Sequence, residues 1–430
     1  MHYKITKPDK SVKGEIILPS SKSESNRALI IQELCSERFE IKNLSESSDT
    51  TSLKKYLDEI KNKNQLFQPI DIGNAGTAMR FLTAFLTITE GEWIITGSNR
   101  MKERPIGGLV NALKKLDANI EYMESQGYPP LKIRGEKLKG GQIEVDGSVS
   151  SQFISALLLI APTLDFGLTV NIKGNLVSKP YVVMTIKMMQ DFGVEVVWKN
   201  NSIQIAAQPY TTEKLPTDEK GNKYYLIDAD WSAISYWYSF AALATHTDIT
   251  LKGIKKKTIQ GDVIVSPLFT FFGVKTEQVE NGIRLSKLNS KEQCFGYDFS
   301  DNPDIAQTIA VTAFGLKIPC LMNGLETLKL KETDRVEALK NELEKLGAKV
   351  DSINEGGSGI IITPNNFIEL SEFSIKTYND HRMAMSFAPL ALISNKVFIE
   401  DISVVRKSYN QFWEHLKSLG FKVEEVELPR

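Results

Sequence analysis

The stretch LKNELEKLGAKVDS, residues 339–352, reads as an amphipathic helix that stops at a glycine and gives way to a short β-prone run. The same figure recurs as LVNALKKLDANIEY (109–122), TIKMMQDFGVEVVW (185–198), PLFTFFGVKTEQV (267–279) and FWEHLKSLGFKVEE (412–425). Asp117, Gly193, Gly273, Gly347 and Gly420 stand where a helix C′ residue would take positive φ, at separations of 76, 80, 74 and 73 residues. A second series marks helix starts. Ser21, Asn74, Ser150, Asp230, Asn302 and Asn379 lead into ALIIQEL, AMRFLTAFL, FISALLLIA, SYWYSFAALA, AQTIAVTAF and MAMSFAPLAL, at steps of 53, 76, 80, 72 and 77. So even a stride across a whole chain indicates six related units, the first shortened by about 20 residues.

The helices of the second series are apolar nearly all round, which places them inside a domain, with the amphipathic series outside. Runs such as GEIILP, WIITG, LKIRG, QIEV, LTVNIKG, EVVW, DITLKGI, IRLS, CLMNGL, GIIITP, KVFIED and KVEEVEL are expected strands, giving an α/β chain. The polar stretch Thr211–Tyr225 falls between units three and four and reads as the boundary, so that each half carries three units.

Composition narrows the function classes. The chain has 430 residues, 42% apolar and 24% charged, which excludes disorder, collagen and coiled coil and suggests two or three domains. Its 52 Lys+Arg nearly balance 53 Asp+Glu, so no global field draws nucleic acid or an anionic membrane, and any preference for anions is local. The apolar stretches Phe153–Leu164 and Trp231–Thr245 are too short or too interrupted to span a bilayer, which needs about 20 residues. With no leader visible at the N-terminus and three scattered cysteines, Cys35, Cys294 and Cys320, the chain is expected to be soluble and cytoplasmic.

Six buried helix N-termini would present free N–H groups and positive dipole ends, a receptor for phosphate and carboxylate. Ser, Asn and Asp are also good N-caps, and capping alone explains some of them. The balance shifts because basic residues sit beside so many of these termini: Lys22 and Arg27, Arg80, Lys179 and Arg382. Two further basic clusters, RMKERP (100–105) and KETDR (331–335), occupy short loops.

The strings SKSESNRALI (21–30), GNAGTAMR (73–80), RMKERPIGGLVNAL (100–113), VDGSVSSQF (145–153), VSKPY (177–181), PD (303–304), KETDR (331–335) and YNDHRMAM (378–385) carry a resemblance. In this order and spacing they resemble the motif series of the 5-enolpyruvylshikimate-3-phosphate synthase family, from about residue 15 to 415. The resemblance implies two inside-out α/β barrel domains, each of three repeated units with buried helices, hinged around a central cleft. Residues 1–20 with 230–430 would form one domain and 21–229 the other. The implied reaction transfers the enolpyruvyl group of phosphoenolpyruvate to the 5-hydroxyl of shikimate 3-phosphate through a tetrahedral ketal, and releases phosphate.

Both substrates are polyanions, and Arg suits them because its planar fork donates two parallel hydrogen bonds. By resemblance, Lys22, Ser23, Arg27, Ser150, Ser151, Gln152, Ser178, Tyr181, Asp304, Thr327 and Lys331 would hold shikimate 3-phosphate. Lys22, Asn74, Gly76, Arg100, Gln152, Arg335, Arg382 and Lys407 would hold phosphoenolpyruvate. Asp304 matches the family position that hydrogen-bonds the attacking hydroxyl, and Glu332 the proton donor to the methylene carbon. Lys22 would touch both substrates and stabilise charge on the ketal. A donor must keep its proton near neutrality, so Glu332 is expected to be desolvated, with a raised pKa. From the residues alone Asp304 could be only a helix cap and Glu332 only a partner for Lys331 or Arg335. His381 is expected to fix the loop that presents Arg382. No metal or other cofactor is expected, and the chain is read as a monomer that binds glyphosate at the phosphoenolpyruvate site, in the room beside Gly76.

Four departures from the family pattern stand out. Phe81 occupies a usual proline position, Thr327 a usual asparagine, the first unit is short between Leu57 and Ile70, and RKSYNQFWEHL replaces the usual C-terminal pattern, so that only Lys407 carries over. Two rival readings were open: UDP-N-acetylglucosamine enolpyruvyl transferase, whose loop cysteine has no counterpart in residues 95–115, and a non-catalytic anion-binding protein.

Overall fold

The computed structural model describes residues 2–61, 68–288, 292–353, 358–364 and 371–427. It is an α/β chain in two compact units: a continuous one, Ser21–Ile227, and a split one, Met1–Ser20 with Asp228–Arg430. One repeat shows how local sequence builds the rest. Gly141–Asp146 and Leu168–Lys173 pair in parallel, Gly141 opposite Leu168, and the buried helix Ser151–Ile160 joins them. Parallel strands need such a crossover. The outer helix Lys179–Asp191 then ends at Gly193, whose φ of 83° turns the chain into the hairpin Val196–Lys199 and Ser202–Ile205. The returning arm lies antiparallel on Leu168–Lys173.

The expected turn residues do take positive φ: 67° at Asp117, 76° at Gly273, 89° at Gly347 and 80° at Gly420. Among the described residues, five sheets have four strands and one has two. The two-stranded sheet, Glu40–Lys42 with Tyr224–Leu226, belongs to the shortened first repeat, which among the described residues shows no antiparallel pair like those of the others. Part of that shortened stretch, residues 62–67, lies outside the described residues, as does Leu428 at the end of the expected last strand.

The chain crosses between the units twice, and strands exchange accordingly. Ser11–Ile17, before the helix Lys22–Leu34, pairs with His246–Lys252, while Tyr224–Leu226, before the helix Trp231–Leu243, pairs with Glu40–Lys42. The N-terminal strand His2–Thr6 fills the place that a hairpin's returning arm takes elsewhere, between Lys396–Glu400 and Lys422–Val426. The polar stretch 211–225 folds onto the continuous unit, where Thr212 N donates to Glu37 at 2.7 Å.

The second helix series forms the interior. The helices Gly76–Thr87, Ser151–Ile160, Trp231–Leu243, Ala306–Gly315 and His381–Phe387 are buried along almost their whole length, and Lys22–Leu34 from Glu24 to Ile31. Side-chain caps occur at Ser21, Ser150 and Asp230. They do not occur at the other three expected positions. The Asn74 side chain is taken by Ser98, Asn302 opens a single 3-10 turn, and Asn379 has φ 55° and leaves the cap to Asp380. No helix among the described residues is long and apolar enough to cross a membrane.

Candidate active site

In the split unit, three cations and three carboxylates meet. Arg335 opens the helix Arg335–Lys345 behind the cap Asp334, and its side chain is 2% exposed. Its Nε donates to Asp380 at 2.6 Å, Nη2 to Glu332 at 2.8 Å and Nη1 to Asp304 at 3.2 Å. Arg382 Nη2 takes the other Asp304 oxygen at 2.9 Å, and Lys407 Nζ the other Glu332 oxygen at 2.6 Å. The two carboxylates expected to carry proton transfer are therefore bridged by one guanidinium, and each is also held by a second cation.

Burial works against the Arg335 charge, but Asp380 and Glu332 outweigh it and hold the guanidinium above its ordinary value. Glu332 is desolvated as expected, its side chain 9% exposed. Two cations face it, Arg335 at 2.8 Å and Lys407 at 2.6 Å. Behind the cluster, burial and then the Asp304 charge raise Asp262 to about 6, while Ser232 and Asn302 donate to it. Tyr236 accepts from Arg382 at 3.2 Å, and burial pushes its phenol up to about 12.

The YNDHR loop is organised by Asp380 rather than by His381. Asp380 caps the Arg382 N–H at 2.8 Å and receives Arg335, whereas the His381 Nδ1 stands 3.6 Å from Asp380, beyond hydrogen-bond length. Thr327 lies in the 3-10 helix Glu326–Leu330 with its hydroxyl enclosed and without a hydrogen-bond partner among the described residues, and Lys331 follows that helix immediately before Glu332.

In the continuous unit, Lys22 opens its helix and pairs with Asp49 at 3.0 Å. Arg27, one turn on, is 2% exposed and donates to Thr185 at 2.7 Å, Ser23 O at 2.9 Å, Tyr181 O at 3.1 Å and Ser155 at 3.2 Å. Burial pulls it down to about 10, partly offset by Tyr181 and Glu24, so it is a cation at neutral pH. Ser150 caps the helix that begins with Ser151, and Gln152 reaches across to Thr77 at 3.1 Å. Ser178 is buried, with φ 54°, at the start of the helix that carries Tyr181.

The arginine beside Gly76 is Arg104, not Arg100. Arg100 pairs with Glu103 at 3.1 Å, one-third exposed, whereas Arg104 is 5% exposed and donates to Asn74 O at 3.3 Å. A Cβ built on Gly76 would lie 2.5 Å from Arg104 Nη2, so that guanidinium packs directly against the glycine. Phe81 lies in the helix Gly76–Thr87, which starts five residues before it. It sits in the second turn, 1% exposed, beneath Arg27.

Sequence reasoning missed Arg104, Asp49 and Asp380. Arg104 lies inside the quoted RMKERP string and Asp380 inside YNDHR, but only folded contacts show what each one faces.

Similarity to known proteins is extensive. The family description EPSP synthase (3-phosphoshikimate 1-carboxyvinyltransferase) matches residues 6–416. A 3-phosphoshikimate 1-carboxyvinyltransferase of Bacteroides fragilis is 44% identical over 426 residues, covering 99% of each chain. One from a Sulfurovum species is 38% identical over 434 residues, covering 96% of this chain and 98% of the relative. The solved EPSP synthase of Acinetobacter baumannii superposes with a TM-score of 0.77 at 20% identity, over 99% of this chain and 100% of that one, a likeness of fold. Matched along almost its whole length by the family description and by relatives well above the level of chance, the chain belongs to the EPSP synthase family.

Proposed function

We propose that this chain performs the reaction of its family, transferring the enolpyruvyl group of phosphoenolpyruvate to the 5-hydroxyl of shikimate 3-phosphate and releasing phosphate, in aromatic amino acid biosynthesis. The observation that carries the reading is the pair Asp304 and Glu332, bridged by Arg335 and backed by Arg382 and Lys407. Asp304 takes the proton of the 5-hydroxyl as its oxygen bonds to C2 of phosphoenolpyruvate, and Glu332 delivers a proton to the methylene carbon. The resulting ketal loses phosphate and a methyl proton to restore the double bond. Positioned proton transfer of this kind contributes about 10²–10⁴-fold.

Arg335, Arg382 and Lys407 receive phosphoenolpyruvate, and Arg104, from its place against Gly76 and Asn74, joins them in place of Arg100. Gln152 completes that set. Lys22, Ser23, Arg27, Ser150, Ser151, Gln152, Ser178 and Tyr181, with Asp304, Thr327 and Lys331, receive shikimate 3-phosphate. Lys22 serves both substrates. The proposal includes the finer architecture: inside-out barrels of three repeats each, residues 1–20 with 230–430 and 21–229, hinged around a central cleft. It also includes a cytoplasmic monomer and inhibition by glyphosate in competition with phosphoenolpyruvate.

The test is a phosphate-release assay. Phosphate should leave phosphoenolpyruvate only when shikimate 3-phosphate is present. Turnover with UDP-N-acetylglucosamine in its place, or none with either, would overturn the reading.

A further inference from the structure

Phe81 stands where this chain departs from the family's usual proline, and its ring has a specific occupant. The Arg27 guanidinium carbon lies 5.3 Å from the ring centroid, within reach of a cation–π contact. Both residues are almost fully buried. The hydrogen-bond partners of Arg27 are all neutral oxygens: the hydroxyls of Thr185 and Ser155 and the carbonyls of Ser23 and Tyr181. Glu24 favours the cation electrostatically, and one of its oxygens accepts from Tyr225 at 3.1 Å. A charge withdrawn from water must be compensated by whatever surrounds it. Here the compensation comes from four neutral oxygens, one aromatic face and the charge of the buried Glu24.

Two of those oxygens matter beyond their charge. Ser23 and Tyr181 begin different helices, Lys22–Leu34 and Lys179–Asp191, and Arg27 ties their carbonyls to a single plane. Phe81 belongs to a third helix, Gly76–Thr87, which also carries Gly76. We infer that Phe81 is a positioning residue for shikimate 3-phosphate: its π face seats the Arg27 guanidinium, which holds the Ser23 and Tyr181 backbones in register for the ligand. A leucine would fill the space but present no negative face, so the guanidinium would tilt toward its oxygen partners and the two helix starts would shift with it. This inference rests on the proposed assignment of Ser23, Arg27 and Tyr181 to shikimate 3-phosphate.

Replacement of Phe81 by mono-, di- and trifluorophenylalanine tests it, because fluorine drains the ring's negative face while nearly preserving its shape. Calorimetric titration with shikimate 3-phosphate should show Kd rising with each fluorine, by about tenfold across the series, with Phe81→Leu at or beyond its end. The KM for phosphoenolpyruvate and kcat at saturating shikimate 3-phosphate should stay within about twofold, since the interaction bears on one substrate. A ring that only packs would give a flat series. If the natural protein binds the ligand and the series is flat, this inference alone is overturned. If the natural protein does not bind it, the site assignment falls as well.

Discussion

Arg27 and Arg335 are both 2% exposed and lie in different units, yet they are kept charged by opposite means. Arg335 is surrounded by Asp380, Glu332 and Asp304, which hold its guanidinium above the ordinary value against the effect of burial. Arg27 has hydroxyls, carbonyls and the Phe81 ring, and burial pulls it down to about 10. The packed helices around them differ in the same way. Where the split unit joins its three buried helices through hydroxyls, Ser235 to Thr308 at 3.1 Å and Thr308 to Ser386 at 3.3 Å, the continuous unit brings together Arg27, Phe81 and Ser155. One repeat pattern thus tolerates a cation in its interior, where dipoles and a ring replace hydrogen-bonded counter-ions. A cation matched by carboxylates belongs to a charge network, whereas a cation matched by dipoles depends on geometry.

Removing each arginine should separate the two cases. Arg335→Ala leaves three carboxylates facing one another, so it should abolish measurable turnover and cost about 3–5 kcal/mol in denaturant unfolding. Arg27→Met strands four neutral oxygens and withdraws the cation from the buried Glu24, and should cost about 1–3 kcal/mol. Equal losses in the two variants would break the comparison.

Within the charge network, Asp304→Asn and Glu332→Gln should each lower kcat by about 10²-fold or more. Calorimetry should find shikimate 3-phosphate binding within several-fold of the natural protein, because the proposed assignment places most of its contacts in the continuous unit. An undiminished kcat in either variant would remove that residue from proton transfer.

The smallest effect is expected at Gly76→Ala, where the methyl must displace Arg104. The KM for phosphoenolpyruvate should rise several-fold, and glyphosate inhibition should weaken at least as much. An unchanged KM would show that the guanidinium moves aside freely, and that Arg104 is no fixed part of the phosphoenolpyruvate site.

Much of this was legible in the sequence because it is set locally. A helix that must reverse direction leaves a positive-φ residue at its end, so Asp117, Gly193, Gly273, Gly347 and Gly420 gave away the repeat before any contact was known. Ser21, Ser150 and Asp230 were readable as caps for the same reason. Asn74 was not, because a partner 24 residues away, Ser98, took its side chain. Nor could the motif RMKERP say which arginine turns toward Gly76. Arg100 lies in the short helix Asn99–Lys102 and Arg104 just after it, so the answer depends on how that turn packs. The two carboxylates were found by motif, but their shared arginine joins three separate loops and exists only in the folded chain.

The exchanged strands bear on how the protein is made. The continuous unit, Ser21–Ile227, has all its sheet partners in hand once residue 227 leaves the ribosome. The split unit does not. Ser11–Ile17 waits for His246–Lys252, and His2 pairs with Glu400 and Val426, about 400 residues further along the chain. Closing so long a loop is slow, and an unpaired strand edge invites wrong partners in the meantime. During translation the strand His2–Thr6 is therefore an orphan until residues 397–426 emerge, and the sheet behind the unit that carries Asp304 and Glu332 is completed only then.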